Sequence, residues 1–205
     1  MQNVQTAIIG KSLLLELFMK SITVFCGASD EVDQTYLDIA YKMGLAIADR
    51  GMRLVYGGGG TGLMGAVADG ALSVGGHVTG IIPEFFNTVE KAHNSLSRIE
   101  VVVNMHERKA RMAELVEGFI ALPGGFGTLE ELFEVLTWSQ IGLHNKPIGL
   151  LNAYQYFDSL IDFLKQVKDK KFTTSNLDTL YSVAASPNEL LETMIRFHQQ
   201  NIEKH

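Results

Sequence analysis

Residues 52–72 read MRLVYGGGGTGLMGAVADGAL. A short aliphatic and aromatic run ends at Tyr56, then come four glycines and a threonine, and a helix-period segment opens near Leu63. A run of that length stopped by glycine reads as a strand buried on both faces. The pattern recurs at 119–128, where FIAL leads into Gly124-Gly125-Phe126-Gly127-Thr128 and then an acidic, helix-period stretch. Glycine lets backbone come close to a bound phosphate, and a helix start offers unpaired N–H groups at its positive end. Tight strand-to-helix packing is the rival explanation for both loops. Neither loop has the G-x-G-x-x-G spacing of a dinucleotide site or the G-K-[ST] ending of a P-loop.

Working outward, strand-like runs fall at 22–26, 52–56, 77–82, 99–103, 119–122 and 147–151. Amphipathic helical segments lie near 33–49, 62–74, 105–117, 129–142 and 155–168. Ser186-Pro187-Asn188-Glu189 signals a last helix, with serine as N-cap, proline at N1 and glutamate at N3. Strands alternating with helices imply right-handed crossovers. The expected fold is α/β: a single doubly wound, Rossmann-like domain, with a parallel sheet and helices on both faces. Its ligands would sit at the carboxyl ends of the strands, where both glycine loops lie. The domain is expected over residues 19–205, with 1–18 as a non-core N-terminal extension. The apolar run in that extension is broken by Lys11 and Glu16 and lacks a basic leader, so it does not read as a signal peptide.

A chain of 205 residues, 46% hydrophobic, can bury one substantial core. Its net charge of −6 and the absence of a basic stripe argue against nucleic acid as partner. Cys26 is the lone cysteine, so no intrachain disulfide forms and a reducing, cytoplasmic setting fits. No membrane association is expected. His77, His93, His106, His144 and His198 are scattered without metal-ligand spacing, so neither a metal nor another cofactor is expected. Cys26-Gly27-Ala28-Ser29, closing the first strand, is placed to line a ligand site, with Cys26 as a small core residue.

Within Met105-His106-Glu107-Arg108, helical phase puts Arg108 on the same face as Met105, Met112 and Leu115. Two readings stand: a side chain snorkelling to water, or a guanidinium fixed in a pocket. Glu107 and Arg111 are spaced as an exposed (i, i+4) pair. Thr128-Leu129-Glu130-Glu131 has the spacing of a capping box, and helical phase groups Glu131 with Glu130 and Glu134. On residue pattern alone Glu131 reads as a cap. Its place beside a phosphate loop is the catalytic alternative.

The stretches YGGGGTGLMGAVADGAL (56–72), MHERK (105–109) and PGGFGTLEELFEVLTW (123–138) resemble the Lonely Guy (LOG) family of cytokinin-activating phosphoribohydrolases. VFCGAS (24–29), IIPEFF (81–86) and HNKPIGLLN (144–152) support the likeness, which runs from about Ser21 to the C-terminus. Gly60 departs from the family pattern, where a larger residue is usual. The resemblance implies hydrolysis of the N-glycosidic bond of N6-substituted adenosine 5′-monophosphates, giving free base and ribose 5-phosphate. It implies Arg108 and Glu131 as the catalytic pair. Substrate contacts would come from Glu90, Lys109, Thr137, the loop Gly124, Gly125, Gly127 and Thr128, and the loop Gly58, Gly59, Gly60 and Thr61, with Ser29 beside them. It also implies a homodimer, to which Phe133 and Trp138 would contribute. Molybdenum-cofactor carriers share a P-G-G-x-G-T loop, so a non-hydrolytic nucleotide- or cofactor-binding carrier is the competing expectation.

Overall fold

Short runs rich in Val, Ile, Leu and Phe form the strands, because a strand covered on both faces can be apolar throughout. In the computed structural model, residues 19–86 and 92–202 are described. Among them lie β1 (Ser21–Phe25), β2 (Arg53–Tyr56), β3 (Val78–Pro83), β4 (Arg98–Val102), β5 (Phe119–Ala121), β6 (Ile148–Leu151) and β7 (Ser182–Ala184). They make one sheet in the order β4-β3-β2-β1-β5-β6-β7, every pairing parallel. The helices are α1 (Gln34–Asp49), α2 (Gly62–Leu72), α3 (Met105–Glu114), α4 (Phe126–Gln140), α5 (Asp158–Asp169), α6 (Leu177–Leu180) and α7 (Pro187–Ile202). Single 3₁₀ turns follow β3 and β6.

Alternation along each strand divides the core. Ile22, Val24, Leu54, Tyr56 and Ile120 pack with buried residues of α1, α2 and α7 on one face. Phe25, Val55, Ile81, Phe119 and Leu150 pack with α3, α4 and Phe157 on the other. The fold is thus a single α/β domain with a doubly wound parallel sheet. The sequence gives no sign of β7, since Ser182-Val183-Ala184 is too short to show a period. The proposed extension 1–18 lies outside the described residues.

The chain runs outward from β1 through β2 and β3 to β4, then returns to place β5 on the other side of β1. A crevice therefore opens between the carboxyl ends of β1 and β5, where helices lie on opposite faces. Gly27 and Pro123 sit on its two lips, joined by a hydrogen bond from the Gly27 amide to the Pro123 carbonyl at 3.1 Å. The glycine loop after β2 flanks it.

Candidate active site

Arg108 is set by α3. Asn104 caps that helix by accepting from the Glu107 amide at 2.9 Å, and Glu107 accepts in turn from the Val103 amide at 2.9 Å. Glu107 is therefore a capping residue, not the partner of Arg111, which pairs with Glu100 and Glu114. From α3 the Arg108 side chain turns inward. Its Nε donates to the Ile81 carbonyl at 3.2 Å. Its side chain is only 12% exposed, so it does not snorkel to water. Space for the guanidinium comes from Gly57, where a Cβ would stand 1.9 Å from Arg108 Nη2.

Glu131 is the facing partner. α4 begins at Phe126 with Gly125 as N-cap, so Thr128 is a buried residue of the first turn and does not cap the helix. The expected capping box is absent for that reason. Thr128, Glu131, Leu132 and Val135 share the buried side of α4, which turns Glu131 inward while Glu130 stays exposed. Arg108 Nη1 lies 3.2 Å from Glu131 Oε1. The approach is close enough for charge attraction but not aligned as a hydrogen bond, and Oε1 has no hydrogen-bond partner among the described residues. Burial raises the Glu131 pKa to about 6, and Arg108 restrains the rise. Cys26 lies near both groups; burial pushes its thiol far up, with Glu131 adding to the rise, so it is an inert thiol here.

Two cavities meet at Ala28. One, of about 330 Å³, is lined by Gly57, Gly59, Thr61, Met64, Ile82, Pro83, Phe86 and Arg108. Glu131, 3.2 Å from the guanidinium, does not itself line this cavity. The other, of about 410 Å³, is lined by Gly27, Ser29, Tyr36, Gly124, Gly125 and Tyr156 among others. The two glycine loops meet them differently. At the start of α2 the Gly62 amide is taken by Asp30 Oδ1 at 2.7 Å, and the Thr61 hydroxyl donates to the Ala28 carbonyl at 2.8 Å. Gly58, at φ 78°, accepts from the His93 amide at 2.9 Å, and a Cβ on Gly60 would press on His93 Cα at 3.3 Å. At α4, by contrast, the amides of Phe126, Gly127 and Thr128 have no partner among the described residues. Neither Gly125 nor Gly127 has a positive φ, and a Cβ on either would meet only open space.

Of the remaining sequence candidates, Lys109 lies outside both cavity linings, held by Glu130 and, at 3.1 Å, by Glu134. Burial opposes its charge, but the two carboxylates outweigh that and keep its pKa above the ordinary value. Thr137 is exposed and donates to its own helix at the Phe133 carbonyl, 2.7 Å away. Trp138 packs against the second core, and Phe133 is partly exposed. Glu90 lies outside the described residues. Sequence reasoning missed the Ile81 tether, the Asp30 clamp and the apolar wall of Met64 and Ile82. These are contacts between distant elements that no local period announces. Among the described residues no helix is long and apolar enough to cross a membrane, and no group of three His, Cys, Asp or Glu side chains is placed to hold a metal ion.

The family described as "Possible lysine decarboxylase" matches residues 64–194. A cytokinin riboside 5'-monophosphate phosphoribohydrolase of Rhodococcoides fascians is 53% identical over 156 residues, 76% of this chain and 79% of that protein. One from Arabidopsis thaliana is 41% identical over 180 residues, covering 88% and 84%. Among solved structures, the molybdenum cofactor carrier protein of Chlamydomonas reinhardtii superposes with a TM-score of 0.69 at 20% identity, covering 88% of this chain and 98% of that one. The molybdenum cofactor binding protein of Rippkaea orientalis gives 0.66 at 24%, covering 87% and 98%. At those identities the two structures show a shared fold alone. The family match and the sequence identities go further: the chain belongs to the "Possible lysine decarboxylase" family, and over most of its length it is similar to the cytokinin riboside 5'-monophosphate phosphoribohydrolases.

Proposed function

We propose that this protein hydrolyses the N-glycosidic bond of adenosine 5′-monophosphates, N6-substituted ones included, to release the base and ribose 5-phosphate. The names of its relatives support the reaction class. The observation that carries the chemistry is the buried Glu131 Oε1, beside Arg108 and with no hydrogen-bond partner among the described residues. A carboxylate so placed has a lone pair to spend on water.

The open amides at the start of α4 take the phosphate, aided by the positive end of the helix. Gly125 and Gly127 are explained by the same event, since neither packing nor φ requires glycine there. Glu131 lies four residues on from Gly127, about 6 Å along the axis, a span that a ribose with its 5′ carbon bridges. The base enters the 330 Å³ cavity, against Met64, Ile82 and Phe86. As the C1′–N9 bond breaks, its electrons pass to the purine and positive charge grows on the sugar. Glu131 stabilises that charge and accepts a proton from the water that attacks C1′. The departing base takes up a proton at nitrogen from solvent, and Glu131 releases the water's proton to solvent to complete the cycle. A guanidinium is too weak an acid to protonate the leaving base, so Arg108 has another role. It orients Glu131 and holds its pKa within reach of neutrality.

Of the remaining predicted contacts, Ser29 lies on the phosphate side and the loop 57–61 on the base side. The protein works as a cytoplasmic homodimer, with partly exposed Phe133 at the interface; sedimentation of the purified protein checks the stoichiometry. A carrier with this fold would bind nucleotide and leave it intact. Incubation with AMP and with isopentenyladenosine monophosphate, followed by chromatography, separates the two. Free base from either substrate is the expected result. Unchanged nucleotide with measurable affinity would favour the carrier.

A further inference from the structure

Tyr156 lies between β6 and α5, and its phenol donates to the Gly124 carbonyl at 2.6 Å. The accepting oxygen belongs to the peptide that joins Gly124 to Gly125. A peptide unit is planar, so fixing its oxygen also fixes the direction of the Gly125 amide. This peptide has glycine on both sides, with no Cβ to hinder its rotation, and it leads directly into the N-cap of α4. The two glycines differ in their surroundings. A Cβ on Gly124 would lie 2.1 Å from Thr128 Oγ1, whereas Gly125 faces open space. The peptide between a jammed residue and an open one is where the loop can turn.

The chain goes to some length to place this phenol. Tyr154 and Gln155 both adopt left-handed backbone, at φ 54° and 62°, a costly conformation for side chains of that size. The Tyr156 ring is held edge-on by Tyr36, with centroids 5.8 Å apart, and by Phe157, at 5.0 Å. The Phe157 amide is itself fixed by Asn152 Oδ1 at 2.7 Å. Ring and hydroxyl are thus aimed before any ligand arrives.

We infer that Tyr156 is a positioning residue for the phosphate loop: its hydrogen bond pins the Gly124–Gly125 peptide and so sets where the first amides of α4 point. The inference rests on the assignment of those amides to the substrate phosphate. It is tested with Tyr156→Phe, which keeps the ring and removes the hydroxyl. Loss of one tethering hydrogen bond should raise KM for AMP and the Ki of ribose 5-phosphate together, by about fivefold. kcat should stay within about twofold, and the Ki of adenine, which carries no phosphate, should not move. Unchanged KM and Ki would overturn the inference. So would an equal weakening of adenine and ribose 5-phosphate, which would mean general loosening. Calorimetric titration with ribose 5-phosphate separates this inference from the hydrolase reading. Weaker binding by the variant supports the tether even if the wild type releases no base; equal binding, or none by either protein, sinks it.

Discussion

At Gly57 a hydrogen stands where any other residue would carry a carbon, and the Arg108 guanidinium fills the space. In Gly57→Ala the methyl group would overlap Nη2, and the far end of the arginine would have to swing aside. Base release should fall by about a hundredfold, as expected when a reacting group moves by about an ångström. The melting temperature should change little, because a flexible side chain absorbs the overlap; a full-rate variant would show that the position of Arg108 is not critical. Glu131 makes a second prediction at this scale. Its folded pKa, about 6, lies above the ordinary carboxylate value of 4.5, and the ionised form is the one that accepts a proton from water. The acid limb of kcat/KM should therefore have its midpoint near pH 6, falling as pH drops. Stability has the opposite sign: a raised carboxyl pKa favours the fold below pH 4.5, and that advantage is lost as pH rises through 6. Between those limits the wild type should lose about 2 kcal/mol relative to Glu131→Gln, read from melting at pH 4.5 and 7.5. A constant difference would show that Glu131 does not titrate as described.

The elements show which parts of the structure local sequence carries. α1 and α2 cross almost backbone to backbone: a Cβ on Gly44 would stand 1.9 Å from the Val67 carbonyl oxygen, and one on Gly70 2.0 Å from that of Tyr41. Unlike the arginine at Gly57, these backbone neighbours cannot swing away. Gly44→Ala or Gly70→Ala should cost about 3 kcal/mol or more, a drop of roughly 10 °C in a domain of this size; thermal unfolding measures it, and an unchanged Tm would contradict the close crossing. Six of the seven strands were legible because each is a short apolar run with a turn signal beside it. β7 was not, being three residues whose place is set by pairing with β6. The helical period of α3 correctly put Arg108 on the inward face. The same logic misplaced Glu131, because it assumed that the buried side of α4 is apolar. That side carries Thr128 and Glu131 in line with Leu132 and Val135, and a polar site lies beneath it. The start of α4 lies three residues before the expected one for a related reason. Gly125, Phe126 and Gly127 are weak helix formers, and the first turn is held by tertiary contacts such as Thr128 against Gly124.

At the scale of the molecule, sheet order creates the site. Returning the chain from β4 to β5 opens a crevice beside β1, and the Arg108–Glu131 pair joins α3 to α4 beside it. A chain of net charge −6 then offers an anionic nucleotide no favourable overall field. It relies on helix-start amides and one guanidinium, short-range devices that the composition does not reveal. Glu131 is the proposed base of the glycosidic hydrolysis, and the most direct test compares base release from AMP by the wild type and by Glu131→Gln, with nucleotide affinity measured in parallel. Turnover should fall by about a thousandfold or more, with affinity kept within a few fold. Parental turnover by Glu131→Gln would contradict that role.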